Sequence, residues 1–396
     1  MVRVLHTSDW QIGKLFGQFD ADDAAILADA RFQAVERLAA AAAAHRVDMV
    51  LVAGDVFDAQ TVTDRTLHRL FNAMAAYGGP WVLIPGNHDA ALSESVWTRA
   101  ARLDAIPSHV HVCLVAQPLV LPAHGVAILP APLTQRNTYT DLTEWFAGAD
   151  TAPGLLRLGM AHGSVQGILA DDIDSPNPIG ADRARLGRLD YLALGDWHGY
   201  RQIDDRTWYS GTPETDRFRG NTSGHALLVE IDGPGAAPVV TPLATGAYCW
   251  RTETLNLQVP SDVDDAVSRL QAFGAKDVVQ LDCSGQVDLD GYRRLQQAIG
   301  QARGATRALL ADLSALSLRP TEQDIEGLQA DGYLGEVIAV LRGEQDGPDN
   351  QVARDALALL AGILDRRAGR PDAASDPGSG ADASGDPGPL MATGAP

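Results

Sequence analysis

Five short polar clusters in this 396-residue chain carry side chains that could do chemistry. They are Asp9 and Gln11 in HTSDWQIG, Asp55 in GDVFD, Asn87 and His88 in PGNHD, His162 in AHG, and Asp196 with His198 in LGDWHG. Carboxylates, imidazoles and carboxamides together form a donor set for divalent cations. A hydrolase using two such ions needs a carboxylate able to bridge them, further oxygen and imidazole donors, and open positions for water and phosphate. Ions about 3.5–4 Å apart activate the water and steady an in-line displacement. Taken singly, most clusters say little, since a Gly-Asp pair is usually a turn. Asn, His and Asp crowded together in PGNHD are harder to explain as core or turn. All five in this order point to one site.

Each cluster follows a run that reads as a strand: VRVL, VDMVLVAGD, WVLIPGNHD, LRLGMAHG and YLALGDWHG. Polar residues directly after buried strands are the α/β pattern, in which ligand sites gather at the carboxyl ends of strands. Helices are expected between them, from Asp22 to His45 and over TDRTLHRLFNAMAAY, where Leu67, Leu70, Phe71 and Met74 share a face. GVAILPAP is a further strand, and TWYSGTPE and GHALLVEI read as a hairpin-rich close to residues 1–245.

After about residue 245 the texture changes. TETLNLQVP and DVVQLDCSG read as strands, SDVDDAVSRLQAFG and DGYRRLQQAIGQARG as helices, and TRALLADLSALSLRP as a strand pair. This predicts a small α+β domain over 246–320. A helical segment is expected over 321–367, with Val352, Ala356, Leu359, Leu360, Ile363 and Leu364 on one stripe. Residues 368–396 are Pro, Gly, Ala, Ser and Asp with almost no large apolar side chain, which predicts disorder.

Bulk properties exclude other classes. Three widely spaced cysteines form no CxxC pair, which argues against a disulfide framework or zinc knuckle and fits a reducing cytoplasm. No signal-peptide pattern opens the chain and no apolar run reaches about 18 residues, so a cytoplasmic protein without a membrane span is expected. The net charge of −20 opposes tight, metal-free binding to nucleic acid.

These motifs resemble the calcineurin-like metallophosphoesterases and, within them, the SbcD-type DNA repair nucleases. HTSDW, GDVFD, PGNHD, AHG and LGDWHG fall in that family's order and rough spacing, over about residues 1–230. YSGTPETDRF resembles the segment closing the nuclease core. The resemblance implies an α/β metallophosphoesterase fold, a two-sheet β-sandwich core flanked by helices, with a small α+β capping domain and C-terminal helices. Carried onto this sequence, it implies that Asp9, Gln11, Asp55 and His198 bind one metal ion and Asp55, Asn87, His162 and Asp196 the other. His88 matches the non-ligand histidine that assists the leaving oxygen, with Asp89 orienting it. It further implies DNA as substrate, an SbcC-type coiled-coil ATPase gripped by the C-terminal helices, and a homodimer.

Two positions depart from the family pattern. It has His at position 11 and Gly-His-x-His where this chain has Gly195, Asp196, Trp197 and His198. Both changes keep a donor and replace nitrogen by oxygen, which favours manganese or magnesium over zinc; manganese is the expectation here. His6 is expected in the core or behind the ligands. His45, His68, His109, His111 and His124 are expected to face solvent. Trp10 and Trp197 could stack on a base or wall the pocket, and Lys14, Arg217 and Arg219 could touch phosphate or be solvated charges. The leading expectation is a manganese-dependent DNA exo/endonuclease. The alternatives are a phosphodiesterase for nucleotides or other small esters, and a metal-free scaffold that binds an ATPase or DNA ends.

Overall fold

In the computed structural model, residues 1–168, 176–319, 321 and 333–344 are described, with separate positions between 352 and 363. The strands, in chain order, are β1 (Val2–Thr7), β2 (Met49–Ala53), β3 (Trp81–Ile84), β4 (Val110–Val112), β5 (Leu119–Leu121), β6 (Val126–Ala131), β7 (Leu156–His162), β8 (Ser164–Val165), β9 (Pro178–Ile179), β10 (Tyr191–Gly195), β11 (Arg201–Gln202), β12 (Thr207–Tyr209), β13 (His225–Ile231), β14 (Val239–Ala244), β15 (Cys249–Leu257), β16 (Asp277–Val287) and β17 (Ala308–Leu318). The helices are α1 (Ala21–Ala44), α2 (Asp64–Ala73), α3 (Val96–Arg102), α4 (Arg183–Leu186), α5 (Pro260–Gln271), α6 (Leu289–Ala305) and α7 (Tyr333–Glu344).

Two six-stranded sheets form the core, in the orders β14-β13-β1-β2-β3-β4 and β11-β12-β10-β7-β6-β5. Their central strands are parallel: β1, β2, β3 and β4 in the first sheet, and β6, β7, β10 and β12 in the second. Antiparallel β13 and β14 complete the first sheet on one side, with parallel β4 at its other edge, and antiparallel β11 and β5 close the second. The sequence shows why the central runs are apolar throughout instead of alternating. In β2, Met49 and Leu51 face the second sheet, where they meet Ile128, Leu158, Met160, Tyr191 and Ala193. Val50 and Val52 face the helices and pack with Val35, Leu38, Leu67 and Leu70. A strand covered on both faces has no solvent side to be polar. The second sheet buries its other face, with Leu129, Leu192 and Leu194, against Phe146 and Leu189.

Helix α1 starts at Asp20, whose side chain accepts from Asp23 N, and α3 starts with a Ser95–Thr98 capping box. A third sheet, β15-β16-β17, lies after the sandwich in sequence. Val278 and Ala308 from it pack with Phe16, Phe19 and Leu27 near the start of α1. The stretch expected as a strand pair is the single strand β17. It holds no Gly, Pro or Asn that would turn the chain back.

The chain divides into two compact units, residues 1–284 with 294–315, and 285–293 with those from 316 onward. All five polar clusters lie in the first. In the second, Ile338 on α7 is buried while Tyr333 and Val340 are exposed. Of the expected C-terminal stripe, Val352, Leu359 and Ile363 are exposed, and Ala353 and Leu357 are buried instead. The expected tail at 368–396, Leu364, and most of 321–332 and 345–351 lie outside the described residues. Among the described residues no helix is long and apolar enough to cross a membrane.

Candidate metal centre

Three parallel strands of the first sheet and two of the second end at one place. β1 leads to Asp9 and Gln11, β2 to Asp55, and β3 to Asn87 and His88; β7 ends on His162, and β10 leads to Asp196 and His198. The chain turns hard at these ends. Asp9, Gln11 and Asp55 have φ of 54°, 51° and 53°, and Asp196 has 103°. Non-glycine residues held there store strain of about 1–3 kcal/mol each, which persists only where the surroundings over-determine it. Here the first two turns are laced together: Asp9 N donates to Gly54 O (3.0 Å), Gln11 N to Asp55 O (2.9 Å) and Ile12 N to Val56 O (2.9 Å). Two glycines let the donors approach. A Cβ on Gly54 would lie 2.3 Å from His162 Nδ1, and one on Gly86 would lie 2.3 Å from Asp55 Oδ1.

All seven expected ligands are brought together. His162 Nε2 is 3.0 Å from Asn87 Oδ1, 3.6 Å from Asp55 Oδ1 and 3.7 Å from Asp196 Oδ1. His198 Nε2 is 3.8 Å from Asp9 Oδ1. The Asp196 N–H donates to both Asp9 oxygens at 3.2 Å, and Gln11 Nε2 donates to Asp55 Oδ2 at 2.8 Å. Asp9, Asp55 and His162 offer ligand atoms all within 4.8 Å of one another.

The donor set fits a cation. Donors each about 2.1 Å from one ion lie at most about 4.2 Å apart, and the histidine–carboxylate distances fall below that. His162 Nδ1–H donates to Ala53 O (2.8 Å) and His198 Nδ1–H to Asp216 Oδ1 (3.0 Å). With Nδ1 so engaged, a neutral His162 ring turns its Nε2 lone pair towards carboxylate oxygens, which is repulsive unless a positive charge lies between; at His198 the Arg217 guanidinium already lies 3.0 Å from Nε2. Electrostatics agree. Burial alone would lower the His162 pKa, but Asp55, Asp9 and Asp196 outweigh it and hold it up at about 9. Burial raises Asp196, and the charges of Asp9 and Asp55 add to this. A proton on His162 relieves the crowding that a divalent ion would relieve more fully. Asn87 and Gln11 carry amides whose oxygens are ligand-competent when turned inward; Asn87 turned over would instead donate to both Asp55 oxygens, at 3.2 and 3.1 Å, and to His162 Nε2 at 3.0 Å.

His88 sits differently. Its Nδ1–H donates to Asp58 O (2.8 Å), its ring is partly exposed, and Nε2 faces Asp55 Oδ2 at 4.0 Å. Asp89 does not orient it. The buried Asp89 carboxylate accepts instead from Val56 N (2.9 Å), Phe57 N (3.1 Å) and Gly86 N (2.6 Å), so it braces the loop after β3 against the loop after β2. Burial, then the nearby Asp55 charge, pushes Asp89 up to about 7.

Other expectations divide. His6 is fully buried, with Nε2–H donating to Leu194 O (3.2 Å) and Nδ1 accepting from Tyr191 Oη (2.9 Å). His45 and His68 are exposed, while His109, His111 and His124 are half-buried. Trp10 is 1% exposed and donates to Thr7 Oγ1, so it is core and has no face for a base. Trp197 is half-buried with Arg201 over its ring. Lys14 and Arg217 both bond to Asp216, at 2.7 and 3.1 Å. Sequence reasoning missed Asp216. Burial disfavours its charge, yet the His198 bond and the Arg31 and Arg217 charges hold its carboxyl well below the usual range. Its only trace in the sequence is an Asp within YSGTPETDRF.

Comparison with known proteins agrees with this geometry. The calcineurin-like phosphoesterase profile matches residues 2–200. The chain is 38% identical to the SbcD component of the SbcCD nuclease of Rhodobacter capsulatus over 291 residues, 61% of this chain and 69% of that protein. It is 38% identical to the protein of the same name from Escherichia coli over 100 residues, 24% of this chain and 23% of that one. It is 24% identical over 309 residues to the DNA double-strand break repair protein Mre11 of Methanosarcina acetivorans, 72% of this chain and 46% of its relative.

Proposed function

The chain belongs to the calcineurin-like phosphoesterase family and is a phosphoester hydrolase, and from that premise we propose that it is a manganese-dependent DNA nuclease acting in repair. The observation that carries the reading is the convergence of Asp9, Gln11, Asp55, Asn87, His162, Asp196 and His198 at strand ends, in a chain similar over much of its length to a component of a nuclease. Asp9, Gln11, Asp55 and His198 would hold one ion, and Asp55, Asn87, His162 and Asp196 the other. When bound, the two ions supply water activation and charge stabilisation for in-line displacement at phosphorus. Gln11 and Asp196 enrich the set in oxygen, which supports manganese over zinc.

The protein's own part is positioning and proton supply. Asp55 lies between the two groups of donors and also accepts from His88 N (2.9 Å), fixing the histidine's loop. The Nδ1–H bond to Asp58 O directs His88 Nε2 towards the cleft, where its proton would pass to the leaving oxygen. Among the described residues Lys14 is committed to Asp216, and Arg217 to Asp216 and the His198 ring. DNA grip would therefore come largely from a partner, and the exposed Val352, Leu359 and Ile363 offer an apolar face for an SbcC-type ATPase.

The test is cleavage of end-labelled linear duplex DNA with manganese, run beside hydrolysis of bis-nitrophenyl phosphate. Activity on both supports the nuclease. Activity on the ester alone supports a small-ester phosphodiesterase. Activity on neither, with the ATPase present, supports a scaffold.

A further inference from the structure

Arg31 lies on the buried face of α1, among Ala30, Phe32, Ala34 and Val35, and is 1% exposed. An apolar side chain would be expected there, because burying a cation costs several kcal/mol. Its guanidinium makes four hydrogen bonds, none of them to a carboxylate. Nε donates to Trp10 O; one terminal nitrogen donates to Asp9 O (2.9 Å) and Thr212 Oγ1 (2.7 Å), and the other to Glu214 O (3.1 Å).

Those acceptors are not scattered. Asp9 and Gln11 both have positive φ, with Trp10 between them. In that turn the Asp9 and Trp10 carbonyls face away from the strand ladder, and among the described residues neither accepts from a backbone N–H. Arg31 satisfies both and so holds the strained turn that aims the Asp9 carboxylate. Its other two bonds fix the Thr212–Glu214 loop. That loop is tied to His198 twice: Thr212 N donates to His198 O (3.0 Å), and Asp216, two residues on, accepts from His198 Nδ1. Asp9 and His198 thus hang from one guanidinium, while none of its bonds reaches Asn87, His162 or Asp196.

We propose that Arg31 is a positioning residue for one of the two metal ions, the one held by Asp9 and His198, and leaves the other largely untouched. This rests on the two-ion reading above. A residue serving only fold stability would weaken both ions together or neither.

The experiment is manganese titration of the full chain, with free Mn²⁺ followed by electron paramagnetic resonance, for wild type, Arg31→Lys, Arg31→Met and Thr212→Val. Circular dichroism in chelator establishes that each variant is folded. Wild type should bind two ions. Both Arg31 variants should keep one at near-unchanged affinity and weaken the other roughly 10–100-fold, the range for groups behind metal ligands. Lys keeps the charge but cannot span four acceptors, so it should not rescue. Thr212→Val, which removes one acceptor, should weaken the same ion less, and it decides the matter should an Arg31 variant fail to fold. A wild type binding fewer than two ions overturns the two-ion reading and this inference with it. Two ions in wild type whose affinities fall together, or stay unchanged, in the variants overturn this inference alone.

Discussion

His6 should make the fold acid-labile, by an amount the structure sets. It is sealed between the sheets and kept neutral: burial pulls its pKa down from 6.5 to about 3, against a smaller upward pull from Leu194 O. The unfolded chain binds this proton below about pH 6.5, and the folded one only near pH 3. Stability from His6 is therefore complete above pH 6.5 and is lost as pH falls. At pH 5 the loss is about 2 kcal/mol, from about 1.5 pH units at 1.36 kcal/mol each. That is a large share of a domain's total of roughly 5–15 kcal/mol. The perturbation is His6→Gln, which keeps polar atoms in the slot but cannot titrate. Urea unfolding would be followed by tryptophan fluorescence in chelator from pH 8 to pH 5. All seven tryptophans lie in residues 1–284, so the signal reports the unit that contains His6. His162, held up at about 9, contributes the opposite slope at higher pH but is present in both proteins and cancels. His6→Gln should be less stable at pH 8, and the gap should close by about 2 kcal/mol at pH 5. Parallel stability curves for the two proteins would refute the reasoning.

Three other substitutions probe the centre itself. His88→Ala should cost roughly 10²–10⁴-fold in DNA cleavage with manganese content unchanged by metal analysis; loss of metal would mean that His88 is a ligand. Gln11→His places an imidazole at φ 51°, a conformation in which His is several-fold enriched. It should raise zinc affinity relative to manganese about tenfold or more, read by competition titration, and an unchanged ratio would remove position 11 from the metal. Gly54→Ala forces a Cβ to 2.3 Å from His162 Nδ1 at φ +90°. It should destabilise the fold by about 1–3 kcal/mol and abolish binding of the ion assigned to His162. A variant that retains both ions would show that this close approach does not matter.

The sandwich and the polar strand ends that converge on one place were legible because both depend on local pattern. Runs such as MVLVA are apolar throughout because two layers cover them, and the polar residue that follows has nowhere to go but the strand end. What could not be read is what approaches from far along the chain. Asp89 lies next to His88, and adjacency suggested a pair. Only the fold shows that its oxygens are taken by backbone N–H groups 32 and 33 residues earlier. Asp216 reaches His198 from 18 residues away, and Arg31 reaches Thr212 from 181. Neither has a spacing rule. The C-terminal stripe was displaced by about one residue for a related reason. Val352, Leu359 and Ile363 fit a helical period, but so do Ala353 and Leu357, and periodicity alone does not say which set is covered.

The departures at positions 11 and 196 gain meaning from the backbone around them. A ligand position that had lost its metal would be free of selection for a strained turn, and relaxed backbone with apolar or small side chains would be expected there. Instead Gln11 holds φ 51° and Asp196 φ 103°, each with a bond into the centre: Gln11 to the Asp55 carboxylate and Asp196 N to both oxygens of Asp9. Strain of this kind is retained where it positions something. Both side chains carry oxygen donors, one in each group of ligands. A change in which metal is preferred would account for the retained strain, the retained donors and the paired occurrence together.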